Sequence, residues 1–400
     1  MAYLISGDSL TALADCVREA AGTTTTYTPA EIAEQLNSLT AYKLWERSED
    51  MPQYDKFCKR FGRDVLYITC APTESSSTVT FYVTTTSGSY FVEYGSVDED
   101  GFTATDSVTI ASGTVFSDDL GTDSTYVVLR ITADGGLAAI RFATSSTANT
   151  SPIYEVWGRI ASPTAYTYIA TNNHVVAWDV IYAGPMASFQ NMFCGASALE
   201  YANAKNWDTS SVASMASMFY NCSSLAALDV SGWDTSNVAS MQQMFQGCSS
   251  LTEISIAGWT CSKSTSMELM FRGCYNLTTV DMSGCDTSSV TTMMYMFNQC
   301  YAISSVDMSG CDVSNCTNFF GFFVNGANPS DFKAPSNIKV SVDFSAATAL
   351  SVDSLNSIIA GLYDYSDTDD TPTLTIGSTN LAKLTDDEIA VATAKGWTVA

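Results

Sequence analysis

Cysteine is the residue whose spacing most suggests chemistry in this sequence of 400 residues. Four of its 12 cysteines recur every 26 residues, at Cys222, Cys248, Cys274 and Cys300. Zinc sites bring thiolates together, usually as CxxC pairs, whereas these cysteines lie one per repeat and no CxxC pair occurs in the chain. We therefore expect reduced, buried cysteines that pack as small apolar residues. The sequence predicts no metal site and no cofactor.

No other set of residues is typical of a catalytic site. His174, the single histidine, lies in an apolar, strand-like run, which favours a structural role over that of a general base. An aspartate recurs in the repeats, at Asp208, Asp234, Asp286 and Asp312. A calcium ladder is one interpretation of this column, but Thr260 interrupts it and Asp-Thr-Ser is ordinary turn chemistry. No spacing singles out a carboxylate pair for glycoside hydrolysis, and we predict that the protein is not an enzyme.

The charge of the chain is strongly acidic, with 42 acidic residues, 17 basic residues and a net charge of −25. Binding of nucleic acid or of an anionic membrane requires clustered lysine and arginine, so neither partner is expected. No apolar run approaches the roughly 18 residues of a membrane-spanning helix. The first residues lack the basic segment of a secretory signal. We expect a protein that folds in a cytoplasm.

The C-terminal half of the chain repeats itself with a fixed period. A Met-Phe pair or its equivalent recurs every 26 residues, at 192–193, 218–219, 244–245, 270–271, 296–297 and 322–323. Leucine or isoleucine keeps the same phase at Leu199, Leu225, Leu251, Leu277 and Ile303. Self-similarity at a period of 20–50 residues is typical of a solenoid, in which stacking buries the apolar face that no single unit can bury alone.

Each unit has two parts with different periodicity. The first part places apolar side chains at the spacing of one helical face, at Val212, Met215, Met218, Phe219 and Cys222. The second part, Leu225-x-x-Leu228-x-Val230, has the leucine-rich-repeat pattern whose short strand joins a parallel sheet. The sequence therefore predicts an α/β leucine-rich-repeat solenoid over residues 183–345.

The middle of the chain, residues 65–182, is rich in strand-forming residues. Residues 79–84 alternate between apolar and polar side chains. The apolar runs 127–131 and 137–142 flank Asp134-Gly135-Gly136, which predicts a β-hairpin. Several short strands at this spacing predict a β-sandwich-like domain.

Short helices are expected at both ends of the chain. Residues 1–40 read as a small α-helical attachment segment, with a capping box at Thr28 and Glu31, and residues 41–64 read as a linker. Residues 346–400 are expected to form the C-terminal cap of the solenoid. They contain a predicted helix at 352–362 and a second capping box at Thr385 and Glu388. The expected fold class is multidomain: helical N-terminus, β-sandwich-like middle, and capped repeat solenoid.

The repeat text resembles that of a known family. Residues 218–238 read Met-Phe-x-x-Cys-Ser-Ser-Leu-x-x-Leu-Asp-Val-Ser-Gly-Trp-Asp-Thr-Ser-Asn-Val. This text resembles the BspA-like leucine-rich-repeat family of bacterial surface proteins, over about residues 186–345. The tail from residue 350 to 397 looks like the C-terminal cap of phage-encoded members. Residues 10–15 and 28–33 are similar to a segment that recurs in phage tail and virion proteins.

The resemblance implies a function in attachment. Bacterial members act as adhesins and carry export signals and anchors, which are not evident here, so a phage virion component is favoured. It would be a tail-fibre, receptor-binding or capsid-decorating protein, assembled in the host cytoplasm and exposed on the particle. Its N-terminal region would bind other virion proteins, and its solenoid would bind a glycan or protein of the host surface. We expect a homo-oligomer, with a trimer by analogy with fibres.

The candidate binding surface consists of the variable positions of the strand segment. These positions are Ala226, Ala227, Thr252, Glu253, Thr278, Thr279, Ser304 and Ser305. Their small polar side chains offer hydrogen bonds but few anchors, so affinity would depend on multivalency. Two other functions stay open: a cellular adhesin or secreted interaction protein, and a polysaccharide-degrading enzyme.

Overall fold

The computed structural model of the protein describes most of the chain beyond residue 64. The described residues are 65–70, 78–85, 88–98, 101–112, 115–120, 127–133, 137–141, 153–160, 175–182, 186–205 and 207–400. All of them belong to one compact unit, Gly62–Ala400. The predicted attachment segment at 1–40, the linker at 41–64 and His174 lie outside the described residues.

Ten strands are described before and at the start of the repeats. They are β1 (Val65–Cys70), β2 (Thr78–Thr85), β3 (Ser89–Asp98), β4 (Gly101–Ala111), β5 (Val115–Asp119), β6 (Val127–Ala133), β7 (Leu137–Arg141), β8 (Ile153–Ile160), β9 (Ala177–Tyr182) and β10 (Tyr201–Ala202). Seven of them form one sheet in the order β10-β9-β8-β1-β6-β3-β4, and three form a smaller sheet in the order β5-β2-β7. The larger sheet is antiparallel from β8 to β4 and parallel from β8 to β10.

Alternation of apolar residues explains how these two sheets bury one core. In β1, Leu66, Ile68 and Cys70 are fully buried, as expected for a strand with one face in the core. The smaller sheet contributes Phe81 and Phe116, whose rings stack at a centroid distance of 4.6 Å. The two sheets therefore bury their apolar faces in a single cluster that continues into the repeats.

The predicted hairpin around Asp134-Gly135-Gly136 is wrong. Strand β6 pairs with β1 and β3 in the larger sheet, whereas β7 pairs with β2 in the smaller sheet. The chain crosses between sheets at this point. A turn signal fixes where the chain reverses, but not which partner the next strand takes.

The parallel edge of the larger sheet leads directly into the repeats. Strand β9 pairs in parallel with β8 on one side and with β10, the strand of the first repeat, on the other. The indole Nε1 of Trp207 in the first repeat donates a hydrogen bond to the carbonyl of Val180 in β9 at 3.0 Å. The sheet thus supplies hydrogen-bonding partners for the first 26-residue unit, called a rung below.

Successive rungs pair in parallel and in register. Strands β11 (Glu253–Ser255), β12 (Thr279–Asp281), β13 (Ser305–Asp307) and β14 (Asp331–Lys333) form a four-stranded parallel sheet. Its partners lie 26 residues apart, for example Thr279 and Ser305. A further row of parallel bridges joins Ser214, Ser240, Ser266, Thr292 and Asn318. Each rung therefore contacts its neighbours along more than one line.

The segment for which the periodicity predicts a helix is a series of tight turns. The amide N–H groups of Met241, Gln243 and Phe245 donate to carbonyls of the next rung at 2.9–3.1 Å. The amide of Met244 instead donates to the carbonyl of Met241, three residues back, at 3.2 Å. Gln243 has φ 58, in the left-handed region that a right-handed α-helix excludes. Because alternate amides bond to the next rung, the helical i to i−4 pattern cannot form.

The predicted α/β leucine-rich-repeat solenoid is therefore wrong. Over residues 186–345 the described residues contain no α-helix, and the rungs consist of turns and strands of two or three residues. Met215, Met218, Phe219 and Cys222 are nevertheless fully buried, so the apolar face was inferred correctly. Consecutive turns also place side chains that are three or four residues apart on one face. They therefore account for the apolar spacing that predicted a helix.

Residues after 345 form no further rung. Strand β15 (Val342–Asp343) precedes these residues. The elements after it are α1 (Val352–Gly361), β16 (Thr373–Thr375), α2 (Gly377–Leu381), α3 (Asp386–Ala394) and β17 (Thr398–Val399). Strands β15, β16 and β17 form a three-stranded parallel sheet. The capping box of Thr385 and Glu388 at the start of α3 is confirmed.

Helix α1 covers the open edge of β14. The amide of Phe332 donates to the Ser354 Oγ at 2.8 Å, and the amide of Ala334 donates to the Ser357 Oγ at 2.9 Å. The Ser354 hydroxyl also donates to the carbonyl of Ser330 at 3.2 Å. An uncovered strand edge is a template for pairing with another chain. The two serines of α1 satisfy this edge and end the stack.

We predict that Ser354→Ala destabilises the protein by about 1–3 kcal/mol, because the buried amide of Phe332 loses its acceptor. Urea unfolding at equilibrium measures this difference. Ser378→Ala is the matched control, since Ser378 is exposed, and it should change stability by less than about 0.5 kcal/mol. Equal stability of the two variants would contradict the proposed role of Ser354 in covering the edge.

Candidate functional site

A column of stacked phenylalanines runs through the interior of the rungs. The rings of Phe193, Phe219, Phe245, Phe271 and Phe297 are fully buried. Their successive centroid distances are 5.1, 5.8, 5.6 and 5.5 Å, and their planes differ by 11° or less. Aromatic stacking of this kind adds to the free energy of apolar burial. The column leaves no room for a ligand between these rungs.

The cysteine column packs beside the phenylalanine column and takes part in its hydrogen bonding. The thiol of Cys248 donates to the carbonyl of Phe219 at 3.1 Å, and that of Cys300 donates to the carbonyl of Phe271 at 3.0 Å. Burial raises the pKa of the Cys300 thiol to about 12 and that of Cys248 well above its ordinary value. These are inert, protonated thiols. Within the described residues, no three His, Cys, Asp or Glu side chains are grouped so that they could hold a metal ion.

A second column combines tryptophan with cysteine, and the sequence did not show why these two residue types occupy the same position. The indole of Trp233 donates to the carbonyl of Ala204 at 2.7 Å. The thiol of Cys285 donates to the carbonyl of Ile256 at 2.9 Å, and that of Cys311 donates to the carbonyl of Met282 at 3.2 Å. Each acceptor lies 29 residues before its donor. Both residue types combine apolar bulk with one donor, although the buried Nε1 of Trp259 in the same column has no hydrogen-bond partner among the described residues.

The aspartate column forms turns. In each case the carboxylate Oδ1 accepts a hydrogen bond from the serine amide two residues later, as in Asp234 with Ser236 at 2.9 Å. The same pairs occur at Asp208, Asp286 and Asp312. Hydrogen bonds from Ser236 lower the pKa of the Asp234 carboxyl below its ordinary value. The interpretation of Asp-Thr-Ser as turn chemistry is therefore confirmed.

The parallel register brings the predicted binding residues together on one exposed face, called the strand face below. Six are exposed, and Ala227 and Ser305 are half-buried. Their backbones form a hydrogen-bonded column, in which Thr278 N–H donates to the carbonyl of Thr252 at 2.8 Å and Ser304 N–H donates to that of Thr278 at 2.9 Å. The strand face is thus a flat, ordered array rather than a loop.

Hydroxyl groups dominate the strand face, and charged side chains border it. Ser305 Oγ donates to Asp331 Oδ2 at 3.0 Å, and Lys333 Nζ forms an ion pair with Asp307 Oδ2 at 2.6 Å. Within the described residues, the side chains of Glu253 and Thr279 form no hydrogen bond and lie open to solvent. The arrangement can donate and accept hydrogen bonds, but it does not assemble a nucleophile with a base.

Exposed aromatic side chains near the end of the stack were missed by the sequence analysis. Tyr275, Tyr301 and Phe320 are 46%, 57% and 65% exposed. One feature of the sequence could have revealed them. Ser223 and Ser249 occupy the position of Tyr275 in earlier rungs, so a large aromatic residue replaces a small one in this repeat column. Exposed aromatic residues of this size commonly mark an interaction site.

Comparison with known proteins supports a likeness over the repeats. Residues 164–279 and 252–354 match the model of a family described as "Mycoplasma protein of unknown function, DUF285". No curated protein matches the chain. The resemblances to BspA-like repeats and to phage virion segments stay predictions. None of the helices in the described part of the chain has the length and apolarity of a membrane span.

The buried thiols predict a loss of stability in alkaline solution. Because burial raises the folded-state pKa of Cys300 from 9.0 to about 12, its contribution is constant below pH 9 and is lost as the pH rises from 9 to 12. The expected slope is up to about 1.4 kcal/mol per pH unit for this thiol. Urea unfolding at a series of pH values measures it.

Cys300→Ser is the control for this prediction, because serine keeps a hydroxyl donor but does not ionise in the same range. The variant should show a shallower decline of stability between pH 9 and 12 than the wild-type chain. Identical slopes would contradict the assignment of a buried, protonated thiol to Cys300.

Proposed function

We propose that the protein is a non-enzymatic attachment protein that presents its strand face to a cell surface. The observation that carries this proposal is the exposed, in-register column of small polar side chains on a rigid stack. The stacked phenylalanines, the cysteines and the tryptophans are committed to packing between rungs. The side chains left for function are on the outer faces.

The geometry of the strand face suits multivalent binding. Equivalent side chains recur on successive parallel strands, as in Thr252, Thr278 and Ser304. Each small hydroxyl contributes little affinity alone, but a ligand with repeating groups contacts several of them at once. Cell-surface polymers have such repeating groups. A stack whose units contact only their neighbours provides an extended surface of this type.

Within this proposal, the chain is a structural component of a phage particle. The supports are the similarity of residues 10–15 and 28–33 to virion segments and the likeness of the tail to caps of phage-encoded repeat proteins. The N-terminal region would bind other virion proteins, and the chain would act as a homo-oligomer. A net charge of −25 also disfavours a nucleic-acid partner.

A second candidate is a bacterial surface or secreted interaction protein. The observation that favours it is the family match, whose description names a bacterial genus, Mycoplasma. Mass spectrometry of purified phage particles and of washed cell envelopes separates the two candidates. Recovery of the chain in particles at a fixed ratio to the major virion proteins supports the first. Recovery in envelopes alone contradicts it and supports the second.

We predict that Thr279→Arg reduces binding of the full chain to intact host cells by about fivefold or more. The reason is that a long, positively charged side chain in the middle of the strand face would obstruct contact with the ligand. Flow cytometry with the fluorescently labelled chain measures the binding curve. Thr279 is exposed, so the fold should be retained.

Thr265→Arg is the matched control, because Thr265 is an exposed threonine in the neighbouring row of turns rather than on the strand face. It adds the same charge and should bind as the wild-type chain does. Equal losses in the two variants would indicate a nonspecific charge effect, and no cell binding by the wild-type chain would contradict the proposed function.

A further inference from the structure

Two exposed tyrosines form a stacked pair at the corner between the turns and the strand face. The rings of Tyr275 and Tyr301 lie 5.4 Å apart with an interplanar angle of 22°. They are 46% and 57% exposed. Within the described residues, neither phenol oxygen has a hydrogen-bond partner. The pair therefore offers aromatic surface and two free hydroxyl groups to solvent.

A second aromatic pair joins the half-buried Tyr295 to an exposed phenylalanine of the next rung. Tyr295 and Phe320 meet edge to face at a centroid distance of 5.2 Å. Phe320 is 65% exposed, the highest exposure among the large apolar residues that the structure describes. These two pairs, Tyr275 with Tyr301 and Tyr295 with Phe320, are together called the aromatic cluster below.

Glycines of the last rung hold these rings in place. A Cβ atom on Gly326 would lie 2.3 Å from Tyr301 Cδ1, and one on Gly321 would lie 2.4 Å from Tyr295 Cε1. Both glycines also have positive φ, at 101° and 66°. The tyrosine rings thus rest on bare backbone. They are ordered before any ligand binds, which lowers the entropic cost of binding.

The chain segments that carry the aromatic cluster are poor in charged residues. Residues 273–280, 287–306 and 313–330 contain no Asp, Glu, Lys or Arg. Exposed amides lie at Asn276, next to Tyr275 in the chain, and at Asn325, next to Gly326, which contacts the Tyr301 ring. This neutral stretch stands out in a protein with a net charge of −25.

We propose that the aromatic cluster binds an uncharged saccharide, an inference that rests on the proposed attachment function and names the ligand class for it. The electron-rich faces of aromatic rings attract the polarised C–H groups on the flat side of a sugar ring. The phenol hydroxyls, the amides of Asn276 and Asn325, and the adjoining Thr278 can hydrogen-bond the sugar hydroxyls. The site therefore matches both the apolar face and the polar rim of a hexose.

Two other ligands fit this surface less well. A stable protein partner needs about 800 Å² on each side, which is far more than four side chains provide. Nucleobases also stack on aromatic rings, but nucleic acids need basic residues for their phosphates. The three neutral segments contain no basic residue, and a single one, Arg272, adjoins them in the chain.

Binding of the full chain to an array of uncharged oligosaccharides tests the proposal, with heparin as the anionic probe. The array covers gluco-, galacto-, manno- and rhamno-oligosaccharides and N-acetylhexosamine oligomers. We expect saturable binding to at least one uncharged oligosaccharide and none to heparin. Tyr301→Ala should weaken that binding about tenfold, the low end of the effect that removal of an aromatic ring has on stacked nucleobases. Tyr301→Phe should retain most of it.

Tyr363→Ala is the matched control, because Tyr363 is an exposed tyrosine outside the aromatic cluster, and it should leave saccharide binding unchanged. Thermal unfolding of each variant checks that the fold is retained. Absence of binding to every uncharged oligosaccharide would overturn the proposal. So would unchanged binding by Tyr301→Ala and by Tyr275→Ala.

The same variants in the cell-binding assay separate this inference from the proposed function. If the wild-type chain binds cells and Tyr301→Ala binds them equally well, the saccharide site is overturned while attachment through the strand face stands. If the wild-type chain binds no cells but binds a saccharide through Tyr301, the proposed function is contradicted and the saccharide site stands.

Discussion

Hydrogen bonds between the backbones of successive rungs are the constraint on which the rest of the C-terminal half depends. Alternate amides of each turn segment donate to the next rung, as Gln243 does to Glu268 at 2.9 Å. Backbone groups buried away from water must find partners, and here they find them in the neighbouring unit. Equivalent side chains therefore stack directly over one another. The phenylalanine, cysteine and tryptophan columns follow from this register, and so do the exposed columns of the strand face and the aromatic cluster.

The same constraint explains why the stack begins and ends as it does. A rung with no neighbour has a row of unpaired amides and carbonyls, so both ends need a partner. Strand β9 of the large sheet supplies that partner at the start. Helix α1 supplies it at the other end, with the hydroxyls of Ser354 and Ser357 in the place of a strand. The side chains on the outer faces are not needed for packing, and these are the faces to which we assign the proposed function.

The sequence predicted the buried columns better than it predicted the backbone that carries them. The period of 26 residues, the inward-facing Met218 and Phe219, the Asp-Thr-Ser turns and the capping box at Thr385 all agree with the structure. The helix within each rung was wrong, because apolar spacing is compatible with either a helix or consecutive turns and does not specify the hydrogen-bond partner. The pairing of β6 and β7 depends on distant strands. The aromatic cluster depends on Gly321 and Gly326, which lie one rung away from the rings they support.

An engineered disulfide between the turns of adjacent rungs tests this account most directly. Packed helices lie about 8–10 Å apart, beyond the span of roughly 4.4–6.8 Å between Cα atoms that a disulfide bridges, whereas turns joined by backbone hydrogen bonds lie within it. The account predicts that Gln242→Cys with Glu268→Cys forms an intramolecular disulfide on mild oxidation, as seen by non-reducing peptide mapping. The pair Gln242→Cys with Met294→Cys, two rungs apart, should not. Failure of the adjacent pair to close, or equal closure of both pairs, would contradict the account.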